Sequence, residues 1–456
     1  MDGNLGKIII ISTSFGAFVV PFMTSAVNIA LPTISNEFMM SVEMLNLIAL
    51  SFTLATAIFI LPFGRLADII GRKKLLIIGM STFSLASLLC YVSLNAWMLI
   101  LGRTIQGICA AAISVTVVSI LTSVFPAGSR GKALGLNVAM TYTGLSAGPY
   151  IGGLLTKYLG WRSIFIIVAI IAILVTLSLL KLNQEWSEAK GEKIDYIGSL
   201  IYGLSLFGII LGLSSIRSSY GLVIIIAGIA AMFIFIYYEY KISQPILNMS
   251  IFKNNKVLVF SSLAALIHYS ATFAISYLLS LYLQYIKGFE PSQAGLMLIS
   301  QPAMMAIFSP IAGRISDKIE PQKVASIGMT LTALGLSFFI FLTKTTYIPY
   351  LVLSLSILGF GYAFFSSPNT NAIMSSVEKK YYGITSGIIG AARSVGQVLS
   401  MGVASMVVAL NMRNAQFSAE NAGSLLYSVR ITFSIMTVLC VVGIFASLAR
   451  GKIHKK

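Results

Sequence analysis

The sequence predicts an all-α membrane protein of fourteen transmembrane helices, built as two pseudo-symmetric six-helix bundles with two further helices inserted between them. Three observations carry this. The 456-residue chain is 57% hydrophobic and 10% charged, with a mean hydropathy of +0.91, whereas a soluble domain is about 45–50% apolar and ~25% charged. Its apolar runs are continuous, not alternating, so they read as helices and exclude a closed barrel. A short charged turn recurs at equivalent places in the two halves.

A helix needs about 20 apolar residues to cross the hydrocarbon core. Runs of that kind fall at approximately 8–31, 44–63, 75–94, 97–121, 133–156, 161–180, 196–213, 221–239, 257–285, 293–312, 324–343, 347–367, 384–409 and 427–449. The first is too long for the apolar part of a signal peptide and reads as a span. The net charge of +17 comes from cations in the short breaks between runs. That placement is the positive-inside signature and needs no nucleic-acid partner. With the N-terminus inside, 22 Lys and Arg fall in inner breaks and 7 in outer ones. Both termini are therefore expected in the cytoplasm, in a multi-pass protein of the cell membrane. Cys90, Cys109 and Cys440 all lie within apolar runs without metal spacing and read as reduced packing residues. No metal or cofactor is expected.

The break between the second and third spans, "GRLADIIGRKK" (Gly64 to Lys74), puts five charges into eleven residues. Its cations anchor the cytoplasmic side. The anion, Asp68, suits the free N–H groups of a helix N-terminus. Span thirteen, which begins near Gly383 after "SVEKKYYG", is the candidate. Gly64, Asp68, Gly71 and Arg72 would then form a latch that holds only in one state. Plain topological anchoring is the alternative, and spacing does not separate the two. The turn recurs as "GRISDK" (Gly313 to Lys318), with "SPIAGRISD" echoing "LPFGRLAD", which adds Gly313 and Asp317. Each copy closes the second span of a six-span block. Repeated halves are how many transporters build a site near mid-membrane. The expected division is 1–183, a linker with two spans at 184–252, and 253–456.

At these residues the chain resembles the major facilitator superfamily. "GRLADIIGRKK" is similar to its Gly-x-Leu-x-Asp-x-x-Gly-Arg-Lys-Lys turn. "RTIQGICAA" (Arg103 to Ala111) resembles its fourth-helix motif, and "GLSAGPYIGG" (Gly144 to Gly153) its fifth-helix antiporter motif. "VNIALP" (Val27 to Pro32) resembles the first-helix signature of the fourteen-helix drug:proton antiporter branch. "IDYIGS", "PILNMSIF", "YLQYIKGFEPSQAG" and "SSPNTNAIM" echo that branch further on. The resemblance implies a secondary-active exporter driven by proton antiport, with Arg103 coupled to the proton pathway. One departure matters. Many members carry an Asp five residues before the Asn of "VNIALP", and here that place is Met23.

Gly144, Gly148 and Gly152 recur every four residues and share one face of span five, where small residues let helices approach closely. Pro149 removes a backbone donor and favours a bend, and Gly153 extends the motif. This seam reads as a seal or pivot, or as ordinary close packing. Ionisable residues inside a membrane are functional candidates by default. Arg103, Arg393 and His268 are the proton-coupling candidates, each with an alternative as a hydrogen-bonded structural residue. No acid falls at the centre of a span. That disfavours a cationic substrate and favours a neutral, amphipathic or anionic one. The cavity-lining candidates are Ser25, Asn28, Gln106, Asn137, Tyr142, Tyr269, Gln301, Asn369 and Gln397. Three further classes are disfavoured. An enzyme would need a His, Asp, Glu or Cys cluster in the spans, a channel would not need the repeat, and direct ATP drive would need a phosphate-binding Gly-rich turn. The reading is a monomer in the lipid bilayer with a small-molecule substrate and H+ as coupling ion. The alternative is a transporter of an anionic metabolite or lipid that uses Arg103 and Arg393.

Overall fold

A computed structural model describes residues 3–40, 42–214, 220–247, 249–412 and 421–451. Arg217, Arg413, Lys452, Lys455 and Lys456, counted in the charge bias, lie outside the described residues. All regular structure among the described residues is helical. The α-helices are α1 (Gly3–Phe38), α2 (Val42–Ile70), α3 (Arg72–Tyr91), α4 (Ala96–Val124), α5 (Ala127–Leu159), α6 (Arg162–Leu180), α7 (Tyr196–Ser214), α8 (Gly221–Lys241), α9 (Lys256–Thr272), α10 (Ile275–Leu281), α11 (Pro291–Leu298), α12 (Ser300–Lys318), α13 (Pro321–Ile340), α14 (Ile348–Ser375), α15 (Tyr382–Met412) and α16 (Ala422–Ala449).

Among the described residues, twelve segments are long and apolar enough to cross a membrane. Two of the fourteen expected runs lie outside that set, for different reasons. The 33-residue α5 is long enough, but its glycines, Pro149 and the polar residues Asn137, Thr141, Tyr142 and Thr143 dilute its apolar character. The described apolar part of α7, Tyr196–Gly212, is shorter than a full crossing.

The expected ninth and tenth spans are each broken. α9 and α10 are separated at Phe273 and Ala274, where the Ala274 amide donates to Ser400 Oγ at 3.0 Å instead of continuing the helix. A side chain that intercepts the backbone ladder is a recognised cause of a bend. α11 begins with Pro291 behind Glu290, whose amide is received by Gln293 Oε1 at 3.2 Å. α12 follows after Ile299.

The chain forms two compact units. One comprises residues 1–126, 140–254 and 377–391. The other comprises 127–139, 255–376 and 392–456. In the first, α4 packs on α2 and α3, α6 on α3 and α1, and α7 on α8 and α2. In the second, α13 packs on α14 and α16, α12 on α14, and α9 on α16. Aromatic and aliphatic side chains fill this second core, with the Phe339 and Phe433 rings 4.9 Å apart.

Within the first unit a polar tie joins the end of α1 to the start of α6. Trp161 Nε1 donates to Glu37 Oε2 at 2.7 Å, and Arg162 Nη1 lies 2.7 Å from Glu37 Oε1. Arg162 also stacks on the Trp161 ring at 4.3 Å and donates to the Ser93 carbonyl. Burial acts to raise the Glu37 pKa, but the Trp161 and Arg162 hydrogen bonds and the Arg162 charge outweigh it and hold the carboxyl below its ordinary value. A depressed acid contributes stability above its unfolded pKa and loses it as pH falls through the folded one. Both side chains are partly exposed, so the tie contributes less than about 1 kcal/mol. Acidification below about pH 4 should therefore lower the melting temperature of the wild type slightly more than that of Glu37→Gln. Parallel thermal-melt pH series check this.

Candidate functional site: two carboxylate clasps

α2 ends in Gly64 to Ile70, and α3 starts at Arg72 after Gly71, which sits at φ 109°, a conformation that favours glycine. That tight break leaves Asp68 fully buried on the last turn of α2. Its two oxygens receive the first amides of α15: Gly383 N donates to Oδ1 at 2.8 Å and Ile384 N to Oδ2 at 3.0 Å. Helix N-terminal amides have no partner within their own helix, so an anion there satisfies them and meets the positive end of the helix dipole.

Arg72, only 1% exposed, completes the charge balance. Its Nη2 and Nε donate to Asp68 Oδ1 at 2.7 and 3.2 Å. Nη2 also reaches the Lys379 carbonyl and Nη1 reaches Ser123 Oγ. The backbones meet closely. A Cβ on Gly64 would lie 2.7 Å from the Gly383 carbonyl, and one on Gly383 would lie 2.6 Å from Asp68 Oδ1.

One residue that sequence reasoning passed over belongs here. Glu185 accepts the Lys73 and Lys74 amides at 2.9 Å each, capping α3. The neighbouring segment is strapped down by Ala189 N to the Asp68 carbonyl and by Arg72 N to the Trp186 carbonyl. The acidic run Glu185 to Glu192 is visible in the sequence, but not the face of α3 that it covers.

The second copy of the turn forms the same clasp within the second unit. Asp317 Oδ1 receives Gly131 N at 2.7 Å and Oδ2 receives Lys132 N at 3.0 Å, from the first turns of α5. A Cβ on Gly131 would strike Asp317 Oδ1 at 2.6 Å, and one on Gly313 would run into the Gly131 carbonyl. The copies differ where Arg72 stands in the first, because α13 begins with Pro321 instead. Arg130 supplies a cation from α5, donating to Ser375 Oγ at 3.1 Å. Nothing in its sequence neighbourhood singles Arg130 out.

The glycine seam of α5 lies against α1. A Cβ on Gly144 would lie 2.5 Å from the Phe18 carbonyl, and one on Gly152 would lie 2.7 Å from the Ala26 Cβ. A Cβ on Gly148 would overlap the Ser25 hydroxyl, and Gly153 has more room. Ser25 Oγ itself bonds the Pro21 carbonyl at 3.0 Å, so this candidate binding residue sits in the seam. Pro149 lies inside the helix.

The buried ionisable groups are held in different ways. Arg103 is 1% exposed and forms no ion pair among the described residues. Its Nη1 donates to Gln106 Oε1 at 2.9 Å, and its guanidinium lies 4.3 Å from the Phe52 ring centre. Gln106 in turn donates to Ser87 Oγ at 2.8 Å. His268 has no exposed surface and no partner for either ring nitrogen among the described residues. Phe365 stacks on it at 4.1 Å, with Tyr362 and Tyr269 edge-on at 4.4 and 5.7 Å. Arg393 is half-buried.

Among the remaining candidates, Asn369 accepts Arg450 Nη1 at 2.8 Å and donates to the Ser261 carbonyl at 3.2 Å. Asn137 and Gln301 are buried, Tyr142 and Gln397 half-buried, and Asn28 exposed. Arg450, fully buried by these contacts, was legible only as a terminal cation. Met23 is fully buried.

Helices of membrane-crossing length mark a membrane protein, and comparison with known proteins identifies its class as a transporter. The chain matches the Major Facilitator Superfamily over residues 13–400 and again over 261–455, and it belongs to that superfamily. It is 29% identical over 409 residues to the multidrug resistance protein Stp of Mycobacterium tuberculosis, covering 88% of this chain and 75% of that one. It is 27% identical over 445 residues to the riboflavin transporter RibZ of Clostridioides difficile, covering 97% and 96%. The crystal structure of the human organic anion transporter MFSD10 shares the fold, with a TM-score of 0.68 over 97% of this chain and 99% of that one at 12% identity.

Asp68→Asn replaces one acceptor oxygen by a donor facing the Gly383 or Ile384 amide, and strands Arg72. It should weaken the clasp by about 3 kcal/mol. The measurable outcome is transport lowered at least about tenfold, with membrane yield near wild type. Gly148→Leu should likewise reduce transport, because the side chain cannot fit against Ser25. Wild-type transport in either variant, at matched expression, contradicts the role of that contact.

Proposed function

We propose that the protein is a secondary-active exporter of amphipathic or hydrophobic small molecules, working by alternating access and driven by proton antiport. In this reading fourteen helices cross the cell membrane with both termini in the cytoplasm. α5 and α7 supply the two crossings beyond the twelve apolar segments. Two six-helix bundles, 1–183 and 253–456, rock about a shared midline, and 184–252 contributes the inserted pair. The protein acts as a monomer.

The observation that carries the reading is the pair of clasps. In the two-bundle division Asp68 and α15 belong to opposite bundles, and so do Asp317 and α5. Each contact rests on a few charge-assisted hydrogen bonds to amides that water could equally satisfy. Contacts of that kind can be made and released as a unit, as a two-state transporter requires. The similarity to Stp favours export of drug-like compounds. The α1–α5 seam closes one face of the pathway, and Arg103, His268 and Arg393 are the groups through which a proton would be coupled.

A second reading, transport of an anionic metabolite or lipid, has one specific observation in its favour. Among the described residues Arg103 is a buried cation without a carboxylate partner, and the place of the first-helix acid is taken by the buried Met23. Similarity to RibZ is compatible with a metabolite substrate.

Purified protein in proteoliposomes with an imposed pH gradient separates the readings. The exporter reading expects gradient-driven movement of neutral or amphipathic compounds, reduced only mildly by Arg393→Ala. Gradient-driven anion movement that Arg393→Ala abolishes establishes the second reading instead. No response to the gradient with any compound overturns proton coupling.

A further inference from the structure

The hairpin of α7 and α8 has no part in the clasps, yet it buries two acids. Asp195 immediately precedes α7 and Glu239 lies in the last turn of α8, so antiparallel packing brings them to one end. They are 6% and 2% exposed. Each has one satisfied oxygen: Gly198 N donates to Asp195 Oδ1 at 2.9 Å, and Leu247 N to Glu239 Oε2 at 2.7 Å. The other two oxygens, Asp195 Oδ2 and Glu239 Oε1, have no hydrogen-bond partner among the described residues. They are the two that face each other, since a Cβ on Gly198 would run into both at once. Neither acid joins an ion pair among the described residues.

The surrounding groups do not neutralise the pair. Tyr238 of α8 faces Asp195. Glu192, just before Asp195, is taken up by Arg65 of α2. Lys193 offers its amide to Gln244 Oε1 at 2.7 Å. Glu239 also borders a recess of about 690 Å³ whose other titratable groups are Tyr240 and Lys253, with Ser243 and Ser250 adding hydroxyls. Glu239 thus stands in the wall of this recess.

Two facing carboxylates withdrawn from water cannot both ionise at modest cost. One proton removes the repulsion and satisfies both orphan oxygens, with one acid donating and the other accepting. We propose that Asp195 and Glu239 form a proton-binding site that holds a single shared proton near neutral pH and thereby fastens the α7–α8 hairpin. The proton comes from solvent, and its binding takes the pair from two negative charges to one. Raising the pH removes it and leaves the like charges to push the helix ends apart, so the hairpin loosens in alkaline solution.

Infrared difference spectroscopy on the purified full-length protein, titrated with acid and base, reads this proton through the carbonyl stretch of a protonated carboxyl. The expected result is a band present near neutral pH in the wild type and lost at alkaline pH. The wild-type-minus-Asp195→Asn difference should contain that band, because the amide gives Glu239 a hydrogen bond without a proton and leaves it ionised. Glu239→Gln should lose the same band. If Glu239→Gln does not fold, the polar, near-isosteric Asp195→Asn decides alone. Spectra identical in wild type and Asp195→Asn near neutral pH overturn the proposal. So does a wild-type band removed at constant pH by sodium or potassium ions, which would make the pair a metal-cation site.

Discussion

A carboxylate buried against the free amides of a helix start is the contact on which the arrangement depends. Asp68 has no exposed surface, and its charge is tolerable there because two amides and a guanidinium surround it. Remove any of these and the desolvation cost of the rest is uncompensated. The constraint runs outward from there. α15 has to start at Gly383, α2 has to end where Asp68 can reach it, and Arg72 has to begin α3.

The glycines follow from the same requirement. A carboxylate is a short arm, so its helix has to come within backbone contact of the amides it receives. Gly64 on Gly383, and Gly313 on Gly131, permit that approach, and any side chain at these places would meet a carbonyl. The repeat is therefore more than similarity of two strings, because both copies solve one geometric problem with the same residue types. They part at the cation. Arg72 is built into the first copy, whereas the second draws Arg130 from the helix it holds. The first clasp is also the more deeply buried, with Asp68 fully enclosed and Asp317 half-buried.

Buried cations elsewhere show how charge is held where the described residues supply no acid partner. Arg103 is held by an amide oxygen and an aromatic face, and Arg450 by Asn369 and by the carbonyl and hydroxyl of Ser447. Such soft partners cost less to break than an ion pair. Acids are treated differently. Asp68 and Asp317 sit on helix starts, Glu37 meets a cation and an indole, and Asp195 and Glu239 meet each other. Burial of Arg450 pushes its pKa down to about 9, and its hydrogen-bond partners among the described residues are neutral.

Local chemistry determined much of this protein from the sequence by itself. Continuous apolar runs decide helices, because an unpaired backbone in lipid is prohibitively costly. The charged turn, its echo at Gly313 and the α5 glycines stand out because charge and small residues are conspicuous in an apolar chain. What only the tertiary structure decided is which distant groups share a space. Asp68 bonds an amide 315 positions away and Asp317 one 186 positions away. Neither Glu185 over α3 nor the meeting of Asp195 with Glu239 leaves a trace in local spacing. The break between α9 and α10 belongs here too, since it depends on Ser400, far along the chain. Helix propensity and hydropathy act over one or two turns, whereas the partners of buried polar groups are chosen by packing, which no window of sequence contains.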